Sequence, residues 1–125
     1  MSDLLAEAEG WLESQRVAHM SRAVTYSRGG RNAAVQATIG RKDYDLDNGY
    51  GVLVRFVSVD VLIRASELVL DGMEITPEPG DRIRETRNGR QYTYEVMALG
   101  EGPCYDLSDA ETLRIHTKRV QEERL

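Results

Sequence analysis

Three aspartates at alternate positions, Asp43, Asp45 and Asp47, are the most suggestive chemical constellation in this 125-residue chain. Asp-x-Asp-x-Asp opens a calcium loop of the EF-hand type, in which alternate carboxylates converge on one ion. That loop also needs glycine at its sixth position and a bidentate glutamate at its twelfth. Here those positions hold Asn48 and Val54, and a strand pattern follows where a helix should. In an extended backbone alternate residues point the same way, so the three carboxylates would share one side. They would bind a cation weakly, and they read more simply as a solvated hairpin loop.

The remaining candidates for chemistry are thinner. Cys104, His19 and His116 are the soft ligands besides methionine, and no Cys-x-x-Cys or His-x-x-x-His spacing links them. A zinc site takes three or four such ligands. A Cys–His nucleophilic pair would need the fold to bring the two together, and nothing in the spacing does so. Cys104 reads instead as a small buried residue. Gly29-Gly30 and Gly100-Glu101-Gly102 lack the lysine and the strand-to-helix setting of a phosphate loop, so they read as turns. Glu74 with Glu78 and Asp106 with Asp109 arise by chance among 21 acidic residues and are no acid–base argument without a pocket. The expectation is a protein that is not an enzyme, with no metal and no cofactor. The basic residues are more suggestive. Arg28, Arg31, Arg41 and Lys42 flank the first expected hairpin, and Arg82, Arg84, Arg87 and Arg90 surround a later turn. Arginine suits carboxylate or phosphate partners, although charges at strand edges also simply discourage aggregation.

The elements that would position these residues follow from periodicity. Residues 3–19 read as a helix, with Asp3 as cap and Glu7 and Glu9 at the positive end of the dipole. Leu4, Leu5, Ala8, Trp11 and Leu12 fall on one stripe, which Gly10 and Gln15 weaken. Isolated helices of this length are marginal, so the stripe needs something apolar to cover it. From Arg22 onward the period becomes two. Val24 and Tyr26, then Val35, Ala37 and Ile39, read as a hairpin about Gly29-Gly30. Lys42 to Gly49 reads as a polar loop and Tyr50 to Val57 as a strand. The alternation slips at Ser58-Val59-Asp60, which suggests a tight turn or a bulge. Ala65 to Leu70 reads as a short helical turn or bend, and Pro77 and Pro79-Gly80 rule out regular structure there. Asn88-Gly89 marks a second hairpin. Leu113, Ile115 and Thr117 form a last strand, and residues 121–125 read as a frayed tail. About seven strands with turns every 8 to 12 residues predict a small antiparallel β-barrel or sandwich with an N-terminal α-helix. One domain is expected over residues 1–125, with the β-domain at 22–120.

Length suits one domain with one core. The net charge of −5 disfavours a protein that grips nucleic acid over its whole surface. A single cysteine excludes an internal disulfide and fits a reducing compartment. The first residues lack the pattern of a signal peptide, and no apolar run reaches the roughly 20 residues needed to cross a bilayer. A soluble protein inside the cell, without membrane contact, is expected.

Ordered along the chain, these features resemble the small head–tail joining (head completion) proteins of tailed bacteriophages, the lambda-type joining protein and its prophage relatives. The features that carry the resemblance run from the N-terminal helix and hairpin through Gly51-Val52-Leu53-Val54-Arg55 and Ser58-Val59-Asp60 with Val61-Leu62-Ile63-Arg64-Ala65-Ser66-Glu67-Leu68. Pro77-Glu78-Pro79-Gly80-Asp81, then Tyr94-Glu95-Val96, the Gly-Pro-Cys loop and Leu113-Arg114-Ile115-His116-Thr117 complete it. The resemblance implies a structural virion protein of the neck. It would form a ring, commonly a hexamer, below the portal, contact a portal or adaptor protein above and tail proteins below, and let DNA pass without sequence-specific binding. It would assemble in the host cytoplasm. A tail-terminator or adaptor subunit, or a cellular small-barrel binding module, are the competing readings. Subunit contacts are expected on the helix, through Leu4, Leu5, Ala8, Trp11 and Leu12, on Arg28 and Arg31, and on the segment bearing Arg41, Lys42, Asp43, Asp45 and Asp47.

Overall fold

The computed structural model of the chain describes residues 21–47 and 49–125. The expected helix over residues 3–19, with Leu4, Leu5, Ala8, Trp11 and Leu12, lies outside the described residues. What is described is mainly β. Strand β1 (Arg22–Arg28) and strand β2 (Arg31–Asp47) form the first hairpin about Gly29-Gly30. Strand β3 (Leu53–Arg64) returns along β2 and ends in a single 3₁₀ turn at Ala65–Glu67. A small hairpin follows, β4 (Val69–Leu70) with β5 (Met73–Glu74). The proline segment then leads without regular structure into β6 (Arg82–Arg87) and β7 (Arg90–Val96). Their turn is Asn88-Gly89, with φ of +52° and +73°. A two-residue turn of this hand requires positive φ at both positions, which Asn and Gly adopt most readily. Short strand β8 (Tyr105–Leu107) and long strand β9 (Thr112–Arg124) complete the chain.

Seven strands pair in the order β3-β2-β1-β6-β7-β9-β8, and β3 also pairs with β9. The pairing therefore returns to its starting strand through six members. Inside the cycle, Val24, Tyr26, Val61, Ile63, Ile83, Tyr94 and Ile115 form the buried cluster. Full burial of each such side chain stabilises the fold by about 1.5–3 kcal/mol.

Three expectations about strand limits are corrected. Lys42–Asp47 is strand and not loop, because its main chain is paired with Leu53–Ser58 in an unbroken register from Ala37↔Ile63 to Asp47↔Leu53. Ser58-Val59-Asp60 is neither a turn nor a bulge. The strand runs straight through it, and its polar residues face a buried polar network on the side away from the core. Residues 121–124 are not frayed. They belong to β9 and pair with Arg90–Thr93 of β7, and the Leu125 amide donates to the Gly89 carbonyl at 2.9 Å.

The cross-strand row Arg41–Val59–Thr117–Val96 is where the sheet divides. Beyond it β2 and β3 continue as a two-stranded arm. On the other side β9 continues with β7 and β6 as a three-stranded ribbon. Since β2 and β9 both run antiparallel to β3, arm and ribbon project from the same end of the molecule.

Candidate subunit interface

The arm is built by register. Paired residues of an antiparallel ladder share a face, so one face carries Arg41, Asp43, Asp45 and Asp47 of β2 with Leu53, Arg55 and Val57 of β3. This face continues the core side of the sheet past the point where the core ends. The opposite face carries Lys42, Tyr44 and Leu46 with Val54, Phe56 and Ser58. At the tip the Asp47 carboxylate accepts the Gly49 amide at 2.8 Å and the Gly51 amide at 3.3 Å, a local bond that shapes the turn. Tyr50 is 89% exposed, Leu53 70% and Val57 44%. Large apolar side chains gathered on one projecting element are unusual on a free surface and mark a place of contact.

The three aspartates do share one face, as alternation requires, but each carboxylate has its own partner. Asp45 faces Arg55 at 3.4 Å across the ladder, Asp43 lies 3.9 Å from Arg41, and Asp47 holds the turn. Among the described residues no three of His, Cys, Asp and Glu are grouped to hold a metal ion.

The root of the arm is fixed by a polar cluster that the sequence did not reveal. Asp60 is buried on β3 and accepts hydrogen bonds from Ser58 Oγ at 2.6 Å, Tyr44 Oη at 2.5 Å and Arg114 Nη1 at 3.2 Å. His116 on β9 is fully buried between two carboxylates, with Nδ1 3.0 Å from Asp60 and Nε2 3.2 Å from Asp106. The Tyr44 ring meets the imidazole edge-on at 5.3 Å. Burial alone would raise the Asp60 carboxyl, but the bonds from His116, Ser58, Tyr44 and Arg114 outweigh it and hold it far below the usual carboxylate range. Burial disfavours charge on His116, yet the Asp60 and Asp106 carboxylates overcome it and raise the imidazole above its ordinary value. Tyr44 is pushed up to about 12 by burial and its bond to Asp60. Farther out, Leu46 and Phe56 line a concavity of about 470 Å³ with Leu99, Gly100 and Gly102, so the loop before β8 lies beside the arm on this face. A polar pair, Ser58 and Asp60, interrupting an apolar strand was the available signal. Its partner His116 stood 56 positions away, and only the β3–β9 register joins them.

The other expected interface residues lie elsewhere. Arg28 and Arg31 sit at the opposite end of β2, a strand of 17 residues whose contour is about 55 Å at ~3.3 Å per residue. Arg28 is engaged inside the fold. It donates to Asp81 through Nε at 2.9 Å and Nη2 at 2.7 Å, and to the Thr76 carbonyl at 2.7 Å. Tyr26 Oη also donates to Asp81. Together these bonds tie the proline segment to β1. Arg31 pairs with Asp71 at 2.9 Å, with both side chains exposed. Lys42 Nζ lies over the Tyr44 ring at 5.0 Å.

Among the described residues, neither Ser58 nor Cys104 is paired with the imidazole as a nucleophile would be. Ser58 Oγ is spent on Asp60 and not on the imidazole. The Cys104 thiol donates to the Pro77 carbonyl at 3.4 Å, and burial pushes it up. His116 meets Cys104 only through the backbone, its amide donating to the Cys104 carbonyl at 2.8 Å. The cluster's chemistry is that of fixed charge, and what it positions is the arm.

A family model described as phage head-tail joining protein matches residues 2–124. No curated protein and no solved structure matches the chain.

Proposed function

The chain belongs to the phage head-tail joining protein family, a structural component of the virion at the neck, and from that premise we propose that it is a ring-forming neck subunit. In this reading the closed cycle of six strands is a small barrel. Copies of it form a ring, a hexamer by the family resemblance, below the portal of the DNA-filled head. The ring contacts a portal or adaptor protein above and presents a docking surface to tail proteins below. DNA passes through it without sequence-specific contact. The protein has no catalytic role and no cofactor, and it assembles in the host cytoplasm.

The observation that carries this reading is the arm. Six cross-strand pairs, from Lys42↔Ser58 to Asp47↔Leu53, extend beyond the core and lead to exposed Tyr50, Val52 and Leu53. A protein that works alone gains nothing from such an extension, whereas a ring subunit gains reach. The test is joining in vitro. Full-length protein added to filled heads that lack it should restore tail attachment and add a layer of density at the portal vertex. A chain without residues 1–20 should keep its β-domain but fail to join tails. Tail attachment at normal efficiency without the protein would remove the assignment.

A further inference from the structure

The arm is one of two extensions at the same end of the molecule, and the faces that continue the core side differ in charge. On the arm that face carries Asp43, Asp45 and Asp47 against Arg41 and Arg55. On the ribbon the register places Arg87 opposite Arg90, and Arg90 opposite Arg124. Like charges directly opposite each other in a ladder are destabilising, so this row of three arginines costs stability in the isolated chain. Internal acids relieve it in part. Glu122 Oε1 accepts from Arg90 at 2.6 Å, and Glu85 lies 3.4 Å from Arg87 while also taking two bonds from Arg22. Arg124 has no acidic partner among the described residues. Beside the row, Tyr92 offers a flat ring with Arg87 at 4.9 Å and Arg119 at 5.8 Å.

We propose that the core-side face of one copy's arm docks on the core-side face of the β6–β7–β9 ribbon of a second copy, its aspartates meeting the arginine row. This rests on the ring reading above and names the surfaces that close the ring. Three observations favour a second copy as the occupant. The charges are complementary in sign, and among the described residues no ion pair joins the two faces within one chain. Leu53 and Val57 share the face of the aspartates and are uncovered, which calls for a protein surface and not for a polyanion alone. The two faces are different surfaces of one subunit, so the contact is head to tail, the kind that closes into a ring.

Charge reversal tests it in the full chain, in the joining reaction with filled heads. Asp43→Arg with Asp45→Arg reverses the arm, and Arg90→Glu with Arg124→Glu reverses the ribbon. Each pair alone should lower tail joining by at least about tenfold, since like charges then meet at the contact. All four changes in one chain should bring joining back to within about threefold of the wild type, the signature of a direct pair. Thermal melts confirm that each variant folds. In a separate chain, Asp45→Cys with Arg90→Cys should give covalent multimers on oxidation of joined particles. A combined variant as defective as its parents, or cross-links confined within single chains, overturns the docking. A reversed ribbon that forms normal rings but fails to retain DNA assigns that face to DNA instead and also overturns it. Failure of the wild-type protein to join tails would remove the neck reading itself, whereas normal joining by wild type without rescue removes only the docking.

Discussion

Replacing Asp60 by asparagine is the most informative single change, because this carboxylate holds three strands together. Its side chain is 4% exposed and that of His116 is 1% exposed, so little solvent screens the pair. Asparagine keeps the shape and can still accept from Ser58 or Tyr44, but below the ordinary imidazole value it leaves a buried, protonated His116 with Asp106 as its one remaining carboxylate. Breaking a buried ion pair by removing one partner costs roughly 3–5 kcal/mol. Retained hydrogen bonds place Asp60→Asn near the lower end, about 3 kcal/mol, or a fall in Tm of roughly 10 °C for a domain of this size.

The pH dependence identifies the cause. His116 is raised in the folded state, so its contribution is fully present below its ordinary value of 6.5 and is lost as pH rises through the folded value. Asp60 is lowered, so its contribution is fully present above its ordinary 3.8 and is lost as pH falls through the folded value. The difference in stability between wild type and Asp60→Asn should therefore be largest between about pH 4 and 6.5 and should narrow on the alkaline side. Urea denaturation across pH measures it. A loss below about 1 kcal/mol at pH 5.5, or a gap that widens toward pH 9, would refute the view that a charged His116–Asp60 pair anchors the arm.

Tyr44→Phe removes one donor to Asp60 and should cost about 1–2 kcal/mol, with faster amide exchange along residues 40–47 and 53–59 than in β1 or β6. Gly100 has φ of +62°, and a Cβ there would lie 3.0 Å from Leu46 Cδ1. Gly100→Ala should therefore cost about 1 kcal/mol and loosen the outer arm, again read by exchange. Cys104 is buried with a raised thiol, so a thiol reagent should label the native protein far more slowly than the urea-unfolded chain. Equal rates would mean that the loop before β8 does not stay closed over the core.

The hairpins at Gly29-Gly30 and Asn88-Gly89 were legible because positive φ restricts which residues can stand there. The core strands were legible because Val24, Tyr26, Ile83 and Ile115 alternate with polar neighbours. The arm was not legible as structure. Tyr44 and Leu46 do alternate with Asp43, Asp45 and Asp47, but the alternation is short, its charged residues match the composition of a loop, and Asn48-Gly49 directly after it signals a turn. The distal part of β9 was missed because Gln121–Arg124 gain strand structure from the β7 ladder and not from burial. His116 was visible only as an isolated histidine. Its meaning depends on a register between strands 56 residues apart, which no local pattern encodes.

The polarity of the arm's root bears on what the arm is for. A buried ion cluster is a poor way to add stability, because apolar residues of the same volume often do as well or better. What hydrogen bonds add is direction. Apolar packing tolerates sliding and rotation, whereas Tyr44, Ser58, Arg114 and His116 must each reach one of two oxygens on Asp60 within a few tenths of an ångström. Such a root allows the arm few orientations relative to β9, and therefore relative to the ribbon that β9 helps to form. An arm fixed in this way loses less conformational freedom when it meets a neighbour, so more of its contact energy remains for binding. In a ring every subunit meets the same contact, and an angular error at one root would accumulate around the circle. A polar root that fixes direction is thus what the proposed ring-closing role would require of the arm, and the apolar tip with its flanking aspartates is what the neighbour would engage.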